Sequence, residues 1–436
     1  MKPALIRTWF FSFGLLLSLL TIDVQAYNGL SVGAARFEIT PDLRLTNWIT
    51  HKAYSEILEP IFVRAVVMAQ NTERVALVSW ELLYPMEGAV AKVRREIARE
   101  TGIATSNILV TATHNHSAPW SPVLGDPLTK AEKKVLESFL NDPRYPAWAQ
   151  QVIDLSAKAV KEADLARKPA SLSIGRAYIG DVVFNRRPIK TDGSVHGLAT
   201  PVDPYALPRG LRFAPTDPIA TVFVARGLDQ APISALFHMA CHPVSVYPSY
   251  SGISCDWPGT VSVALQRELG GEAIFFQGCA GDIVPAQRGV PARDSMARTI
   301  TDRILAAAKV AHPLDLNDNF RVLSRTVQAP VTEAARQDTG RDHFSAEVQV
   351  ITCGPMAIVA LPGEPLIGLA TAIRQASPFP HTIVLGYSNG YGTQYVGMPG
   401  DKARGGYEMG SRNLGTDACG QLLVDAAIEL LNLNRD

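Results

Sequence analysis

Residues 74–116 read RVALVSWELLYPMEGAVAKVRREIARETGIATSNILVTATHNH, and this stretch predicts a strand, a helix and a second strand. Runs of apolar and β-branched residues predict buried strands over 74–83 and 107–113. Between them, apolar residues recur at helical spacing over 88–102, and Gly102 provides a stop signal. A strand-helix-strand order predicts two parallel strands joined by a right-handed crossover.

The alternation of strands and helices continues to the end of the chain. Helices are predicted over 146–166, 258–269, 292–310, 364–376 and 416–431. Strands are predicted over 170–178, 219–226, 232–240, 272–278, 320–328, 344–352, 355–361 and 382–388. We therefore expect an α/β fold of mixed, largely parallel β-sheets flanked by helices. No linker-like segment divides the chain, so residues 27–436 are interpreted as a single large catalytic domain.

The first 26 residues differ in composition from the rest of the chain. Lys2 and Arg7 precede an apolar run over 8–20, and small residues lead to Ala26. This pattern predicts a secretory signal peptide over 1–26. An uncleaved membrane anchor is the alternative, although the apolar run is short for a bilayer span. We expect a periplasmic or secreted protein with no integral membrane span after signal cleavage.

Charge and cysteine content restrict the possible partners. The chain has 41 Lys and Arg against 41 Asp and Glu, so its formal net charge is zero. This balance gives no electrostatic basis for binding nucleic acid. The five cysteines form no C-x-x-C pair, and an odd number leaves at least one unpaired. Cys241 and Cys255 flank a short loop and could form a disulfide, but buried small apolar residues are the simpler interpretation.

Possible metal ligands follow the ends of several predicted strands. His114 and His116 end the quoted stretch, and strand alternation would direct both side chains to one face, roughly 6–7 Å apart. His242, Asp282 and Glu364 each follow another apolar strand. The carboxyl ends of parallel strands meet at one edge of a sheet, where α/β proteins bind ligands. We expect these side chains to converge there, and histidines with a carboxylate suit zinc.

Each of these motifs also has a simpler structural interpretation. His114 and His116 could be packing or surface histidines. His238, four residues before His242, could be a hydrogen-bonded residue at a strand end. Glu364 begins a predicted helix, where the helix dipole favours a carboxylate without any function. Their joint occurrence at strand ends favours a hydrolytic metal site.

Five motifs occur in the order found in a known enzyme family. They are THNHSAP (113–119), NRRP (185–188), HPVS with SCDWPG (242–259), GCAGDIVP (278–285) and LPGE (361–364). As an ordered set they resemble the N-terminal catalytic domain of the neutral/alkaline (non-lysosomal) ceramidase family. The resemblance covers about residues 30–420, including the early strands over 61–83.

The resemblance implies one zinc ion per chain. Its ligands would be His114, His242, Glu364 and a tyrosine. Two functional tyrosines of the family lie twelve residues apart, and Tyr395 and Tyr407 have this spacing. Tyr395 would therefore be the fourth ligand. The competing tyrosines in this region are Tyr387 and Tyr391.

The resemblance also implies the residues that act on the substrate. His116 would serve as the general acid and base beside the metal. Tyr407 and Arg186 would stabilise the developing oxyanion, with the adjacent Arg187 as the alternative arginine. Asp282 would orient a histidine of the site.

The chain departs from the ceramidase pattern in two respects. Val284 occupies the position of the serine proposed as the family's nucleophile, so zinc-activated water would have to replace it. We also expect no counterpart of the family's immunoglobulin-like C-terminal domain. The predicted function is zinc-dependent hydrolysis of an amide bond in an N-acyl, ceramide-like substrate, either a small molecule or lipid-like. The alternatives are a hydrolase of small esters, lactones or cyclic amides, and a non-catalytic periplasmic binding protein.

Overall fold

The computed structural model describes residues 29–126, 128–197, 205–316 and 318–435. The predicted signal peptide over 1–26 lies outside these ranges. Within them, no helix combines the length and the apolar character needed to cross a bilayer.

The described residues form strands and helices that alternate along the chain. The strands are β1 (Leu30–Glu38), β2 (Phe62–Gln70), β3 (Glu73–Trp80), β4 (Ile108–Ala112), β5 (Lys168–Tyr178), β6 (Val183–Asn185), β7 (Ile189–Lys190), β8 (Leu211–Arg212), β9 (Ile219–Gly227), β10 (Pro232–Met239), β11 (Glu272–Gln277), β12 (Ile283–Pro285), β13 (His312–Pro313), β14 (Arg321–Pro330), β15 (His343–Cys353), β16 (Met356–Ala360), β17 (Glu364–Pro365), β18 (His381–Leu385) and β19 (Tyr395–Val396). The helices are α1 (Glu87–Thr101), α2 (Lys130–Leu140), α3 (Tyr145–Leu165), α4 (Asp256–Leu269), α5 (Val290–Lys309), α6 (Glu333–Thr339), α7 (Ile367–Ala376), α8 (Asp401–Arg404) and α9 (Cys419–Arg435).

The strand-helix-strand unit predicted from residues 74–116 is confirmed. Strands β3 and β4 pair in parallel, and α1 connects them. The helix ends at Gly102, which has a φ of 70° and caps the last turn as the sequence predicts. The other long elements also match their predicted ranges to within a few residues. Strand β1 and helix α2 are absent from the sequence-based prediction.

The main sheet is mostly antiparallel, so the prediction of largely parallel sheets is wrong. Its strand order is β11-β10-β9-β5-β1-β2-β3-β4, with β13 added beside β5. Only the two outermost pairs, β10 with β11 and β3 with β4, are parallel. The physical reason lies in the connections. Strands β2 and β3 are joined by a tight turn between Gln70 and Glu73, and a turn this short permits only antiparallel pairing.

A second sheet packs on one face of the main sheet. Its strand order is β14-β15-β16-β18. Apolar side chains from both sheets fill the space between them, among them Val66, Leu236, Ile351, Ile358 and Ile383. Helices α1, α3, α4 and α5 cover the opposite face of the main sheet, whereas α7 and α9 cover the outside of the second sheet. The result is a four-layer arrangement of helices, sheet, sheet and helices.

The main sheet twists until its two edges meet. Ser79 on β3 donates a hydrogen bond to the Phe275 carbonyl of β11 at 2.8 Å. Gln277 at the end of β11 donates to the carbonyls of Thr113 at 3.0 Å and Cys241 at 2.8 Å. Neighbouring strands are rotated by about 20–25°, so the steps from β4 to β11 add up to about half a turn. The carboxyl ends of β4 and β10 therefore meet although the sheet is not parallel.

The five cysteines are all buried, and none forms a disulfide. This observation confirms the simpler of the two interpretations of the cysteine pattern. Cys241 and Cys255 both lie in the apolar core.

Candidate metal centre

His114 and His116 face each other beyond the end of β4. The strand ends at Ala112, and His114 has a φ of 68°, which lies in the left-handed region. Strand alternation is therefore not what directs the two side chains to one place, as the sequence argument assumed. A non-glycine residue in this region stores backbone strain, which proteins tolerate mainly at functional sites. The turn brings the His114 and His116 ring centroids to 4.7 Å from each other.

Backbone carbonyls fix the orientation of two histidine rings. His114 Nδ1 lies 3.0 Å from the Leu83 carbonyl oxygen. His242 Nδ1 lies 3.1 Å from the Ile283 carbonyl oxygen. A carbonyl only accepts, so each neutral ring carries its proton on Nδ1 and keeps the Nε2 lone pair free for a metal.

Four donor atoms of this cluster lie close together, and three of the distances between them match the spacing of ligands in a zinc site. His114 Nε2 lies 3.1 Å from His116 Nε2 and 3.2 Å from Glu364 Oε2. Glu364 Oε2 lies 3.3 Å from His242 Nε2. In a tetrahedral zinc site with bonds of about 2.0–2.1 Å, neighbouring ligand atoms are about 3.3 Å apart. The three histidines alone offer ligand atoms that all lie within 4.8 Å of one another, so this buried cluster can hold a metal ion.

Several polar atoms of this cluster have no hydrogen-bond partner. Among the described residues, His242 Nε2, Glu364 Oε2 and the Tyr387 hydroxyl are buried and unpaired. The Tyr387 ring packs on His114 with centroids 4.3 Å apart. Leaving buried polar atoms unpaired costs about 1–3 kcal/mol each. A cation between these atoms would remove that cost, so the residues fit a metal.

The protonation states of the cluster also suit a cation. Burial lowers the pKa of His242 to about 3, so its ring is neutral at neutral pH. Burial raises the pKa of Glu364, but His114 and His242 outweigh this effect, and the net pKa lies well below its usual value. Neutral imidazoles and an ionised carboxylate are the forms that bind metals.

Tyr84 is a component of the site that the sequence analysis missed. Its hydroxyl donates a hydrogen bond to Glu364 Oε1, which leaves Oε2 directed at the histidines. Tyr84 follows β3, the parallel neighbour of the strand that leads to His114. The same strand-end criterion that selected the histidines could have selected this tyrosine.

Tyr395 lies beside Glu364 because the short strands β17 and β19 pair in parallel. Glu364 and Tyr395 are directly opposite in this pairing, so their side chains share one face. The Tyr395 hydroxyl accepts a hydrogen bond from Arg186 Nη2 at 2.8 Å. The structure therefore brings Tyr395 next to the cluster.

Glu408 joins the two predicted arginines. Arg186 Nε donates to Glu408 Oε1 at 2.7 Å, and Arg187 Nη1 donates to Oε2 at 2.8 Å. Of the two, Arg186 also donates to the Tyr395 hydroxyl, so it is the arginine that lies next to the candidate metal centre. Tyr407 is 58% exposed, and its ring lies 5.6 Å from Arg186 Cζ and 5.9 Å from the Tyr395 ring. Tyr407 thus lies at the mouth of the site.

Asp282 does not contact a histidine, contrary to the role given to it above. Its carboxylate accepts from the Ile367 backbone N–H at 2.9 Å and from Asn185 Nδ2 at 2.9 Å. Its backbone carbonyl accepts from the Arg186 N–H at 2.9 Å. Burial raises the pKa of Asp282 to about 6. Asp282 therefore positions the Arg186 segment and the start of α7.

Val284, which replaces the family's serine, lies in an apolar cluster. It is fully buried and packs with Phe184 and Val244. This position supplies no nucleophile.

Comparisons with known proteins identify the architecture. No protein-family model and no curated protein sequence matches the chain. Solved structures do match, among them the neutral ceramidase from Pseudomonas aeruginosa and a ceramidase complexed with C2. Each superposes with a TM-score of 0.73 at 17% identity over 93% of this chain, and the match covers 75% and 76% of the respective ceramidase chains.

The chain has the fold of neutral ceramidase. This finding confirms the resemblance inferred from the five ordered motifs. The ceramidase fold here carries a buried cluster of three histidines that can hold a metal ion.

Proposed function

We propose that this protein is a zinc-dependent hydrolase that cleaves an amide bond in an N-acylated substrate. The observation that carries the proposal is a cluster of four donor atoms. His114 Nε2 lies 3.1 Å from His116 Nε2 and 3.2 Å from Glu364 Oε2, which lies 3.3 Å from His242 Nε2. When bound, zinc would supply polarisation of the substrate carbonyl and activation of a water molecule. The predicted signal peptide supports a periplasmic or secreted location for this activity.

His114, His242 and Glu364 are proposed to hold the zinc, with Tyr395 as the fourth ligand. The pairing of Tyr395 opposite Glu364 supports this assignment. The alternative fourth ligand is His116, because its Nε2 is as close to His114 as Glu364 is. Zinc analysis of Tyr395→Phe and His116→Gln would separate the two assignments, since only the true ligand's loss should weaken zinc binding.

His116 is proposed to accept a proton from the attacking water and to deliver a proton to the leaving amine. Burial and the neighbouring His114 and His242 hold the pKa of His116 well below its usual value, so its ring is neutral and can accept a proton. Its Nδ1 is buried without a hydrogen-bond partner among the described residues. The Trp48 and Tyr247 rings, centred 6.3 Å and 5.0 Å from it, pack against the His116 ring.

Arg186 and Tyr407 are proposed to stabilise the oxyanion that forms on the carbonyl. The Tyr407 ring lies 5.6 Å from Arg186 Cζ, and Arg186 Nη2 donates to the Tyr395 hydroxyl at 2.8 Å. The Arg186 guanidinium is held by Glu408 and Gly281, so its position is set before substrate binds. Preorganised donors of this kind stabilise transition-state charge without reorganisation.

The test is turnover of zinc-loaded protein on matched amides, short esters and lactones. We expect zinc-dependent release of the amine from N-acyl amides, and loss of both turnover and bound zinc in Glu364→Gln. Glu333→Gln, on the exposed helix α6, is the matched control and should retain both. If only esters or lactones were cleaved, the protein would be a hydrolase of small esters or lactones and not an amidase. Ligand binding without any turnover would indicate a non-catalytic binding protein.

A further inference from the structure

A cavity of about 650 Å³ opens beside the segment that carries Tyr395 and Tyr407. Its wall includes Thr332, Gln394, Lys402, Met409, Arg412 and Asn413. Met409 packs against Tyr395, and Asn413 Nδ2 donates to the Tyr395 carbonyl at 3.0 Å. The cavity therefore adjoins the candidate metal centre.

A chain of direct contacts links the wall of this cavity to the metal-facing carboxylate. Gln394 Nε2 donates to Glu132 Oε1 at 2.6 Å, and the Tyr391 hydroxyl donates to the same oxygen. The Tyr391 ring meets the Tyr84 ring edge-on, with centroids 4.7 Å apart. Tyr84 in turn holds Glu364. Four side chains in contact with one another, those of Gln394, Glu132, Tyr391 and Tyr84, thus connect the cavity wall to Glu364.

The cavity contains two cationic side chains that lack acidic partners. Lys402 Nζ donates to two neutral acceptors, Asn413 Oδ1 at 3.2 Å and the Gly415 carbonyl at 2.9 Å. Over the ranges that the structure describes, neither Arg412 nor Lys402 forms an ion pair with a carboxylate. Asp338, the acidic residue of the lining, accepts from the Lys130 backbone at 3.2 Å and lies 3.9 Å from Lys130 Nζ. The cavity therefore carries a net positive charge.

Arg412 lies in the electrostatic field of the metal centre. Burial lowers its pKa, but Tyr407, Tyr84, Glu132 and Glu364 outweigh this effect, so its pKa is raised overall. The guanidinium is thus charged, partly buried and close to the residues that would handle the substrate. By contrast, Arg186 and Arg187 both pair with Glu408, and Arg187 Nη2 also lies 3.8 Å from Asp401.

We propose that Arg412, assisted by Lys402, binds a carboxylate of the substrate, so that the protein acts on amides that also carry a carboxylate, such as N-acyl amino acids. This inference rests on the proposed function, whose substrate class it narrows. A guanidinium matches a carboxylate with two parallel hydrogen bonds, which makes Arg412 the selective element. An alkyl chain in this cavity would remove water from both cations without replacing its hydrogen bonds, so a neutral two-chain lipid is disfavoured.

The experiment compares two ligands that differ only in this group. N-acylglycine and N-acylethanolamine with the same short acyl chain share the amide bond, but only the first has a carboxylate. Binding by titration calorimetry and kcat/KM are measured for wild type, Arg412→Gln, Arg412→Lys and Arg404→Gln. Arg404 is an exposed arginine of the neighbouring helix α8 and serves as the matched control.

We expect wild type to bind N-acylglycine about tenfold or more tightly than N-acylethanolamine, the scale of a charge-assisted hydrogen bond. Arg412→Gln should remove this preference by weakening only the carboxylate ligand, and Arg412→Lys should retain part of it. Arg404→Gln should behave as wild type. Equal binding of the two ligands by wild type, or an equal effect of Arg412→Gln on both, would overturn the inference. Preferential binding of N-acylglycine without any turnover would overturn the proposed hydrolase function and leave the carboxylate site standing.

Discussion

At the scale of the residue, the candidate centre depends on side chains that each have two polar atoms, one of which is already hydrogen-bonded to the protein. Carbonyl oxygens hold the Nδ1 side of His114 and His242, and Tyr84 holds one oxygen of Glu364. Each contact leaves one donor atom directed at the common point. Such supporting bonds fix ligand orientation and typically change metal affinity by about 10–100-fold.

We expect Tyr84→Phe to weaken zinc binding by about tenfold or more, because Glu364 loses the hydrogen bond that orients it. Competition with a chelator measures the zinc dissociation constant. Tyr54→Phe is the control, since the Tyr54 hydroxyl is buried without a hydrogen-bond partner. Equal zinc affinity in Tyr84→Phe and wild type would show that Tyr84 does not support the site.

His238 should make the protein less stable in acid. Burial lowers its pKa to about 4 in the folded state, against about 6.5 in an unfolded chain. Between these values the unfolded state binds more protons, so the free energy of unfolding should fall by up to about 1.4 kcal/mol for each pH unit lost. Asn at this position preserves a donor for the Phe276 carbonyl, so His238→Asn should show a shallower fall from pH 6.5 to 4 in urea unfolding. Identical slopes would contradict this assignment.

Single residues of the site were partly predictable from sequence. Histidines and carboxylates at strand ends are conspicuous, and His114, His242 and Glu364 do come together. Tyr84 was missed because a tyrosine after an apolar strand has an ordinary packing role in most proteins. The contacts of Asp282 were misassigned because its partners, a backbone N–H and an asparagine, leave no signal in sequence.

At the scale of the element, the helices and long strands follow from local patterns. Periodicity and stop signals were sufficient for α1 and α3, which have clear apolar faces. Helix α2 was missed, although Thr129 and Glu132 form a capping box at its start. The two-residue strands β17 and β19 were not predictable, because their pairing depends on tertiary contacts between distant segments.

Helix α9 supports the Tyr395 segment through an unusually close contact. A Cβ atom on Gly420 would lie 2.0 Å from the Gly397 carbonyl oxygen. We expect Gly420→Ala to lower the free energy of unfolding by about 1–3 kcal/mol, because the backbone must move to admit a methyl group. Chemical unfolding measures the change.

Gly368 in α7 provides the matched control for that substitution. A Cβ there would meet only the flexible Met398 side chain, at 3.3 Å. Gly368→Ala should therefore change stability little, or raise it through the better helix propensity of alanine. Equal effects of the two substitutions would contradict the close contact at Gly420.

At the scale of the whole molecule, the site is assembled by the twist of the main sheet. The sequence motifs predicted that the strand ends converge. We expected a parallel sheet to be the cause of this convergence. The observed sheet is mostly antiparallel, and its two parallel edge pairs are in contact. A typical twist of about 20–25° per strand adds up to about half a turn, which makes the carboxyl ends of β4 and β10 point the same way. Accumulated twist is a property of the assembled sheet, so it cannot be predicted from any local pattern in the sequence.

Gln277 holds the two edges together, and its removal should loosen the site. Its side chain donates to the Thr113 and Cys241 carbonyls and accepts from the Cys241 N–H at 3.2 Å. We expect Gln277→Met to lower the free energy of unfolding by about 2–4 kcal/mol, because buried backbone groups lose their partners. It should also weaken zinc binding, since His114 and His242 follow the two joined segments. Gln70→Met, at a buried position on β2, should leave zinc affinity unchanged, and intact zinc affinity in Gln277→Met would contradict the proposed role.

The most direct test is zinc-edge anomalous diffraction from crystals of protein purified with zinc. We expect one anomalous peak per chain, about 2.0–2.3 Å from His114 Nε2, His242 Nε2 and a carboxylate oxygen of Glu364. A zinc-containing crystal with its peak elsewhere, or protein that takes up no zinc at these three residues, would contradict the metal centre on which the proposed hydrolase depends.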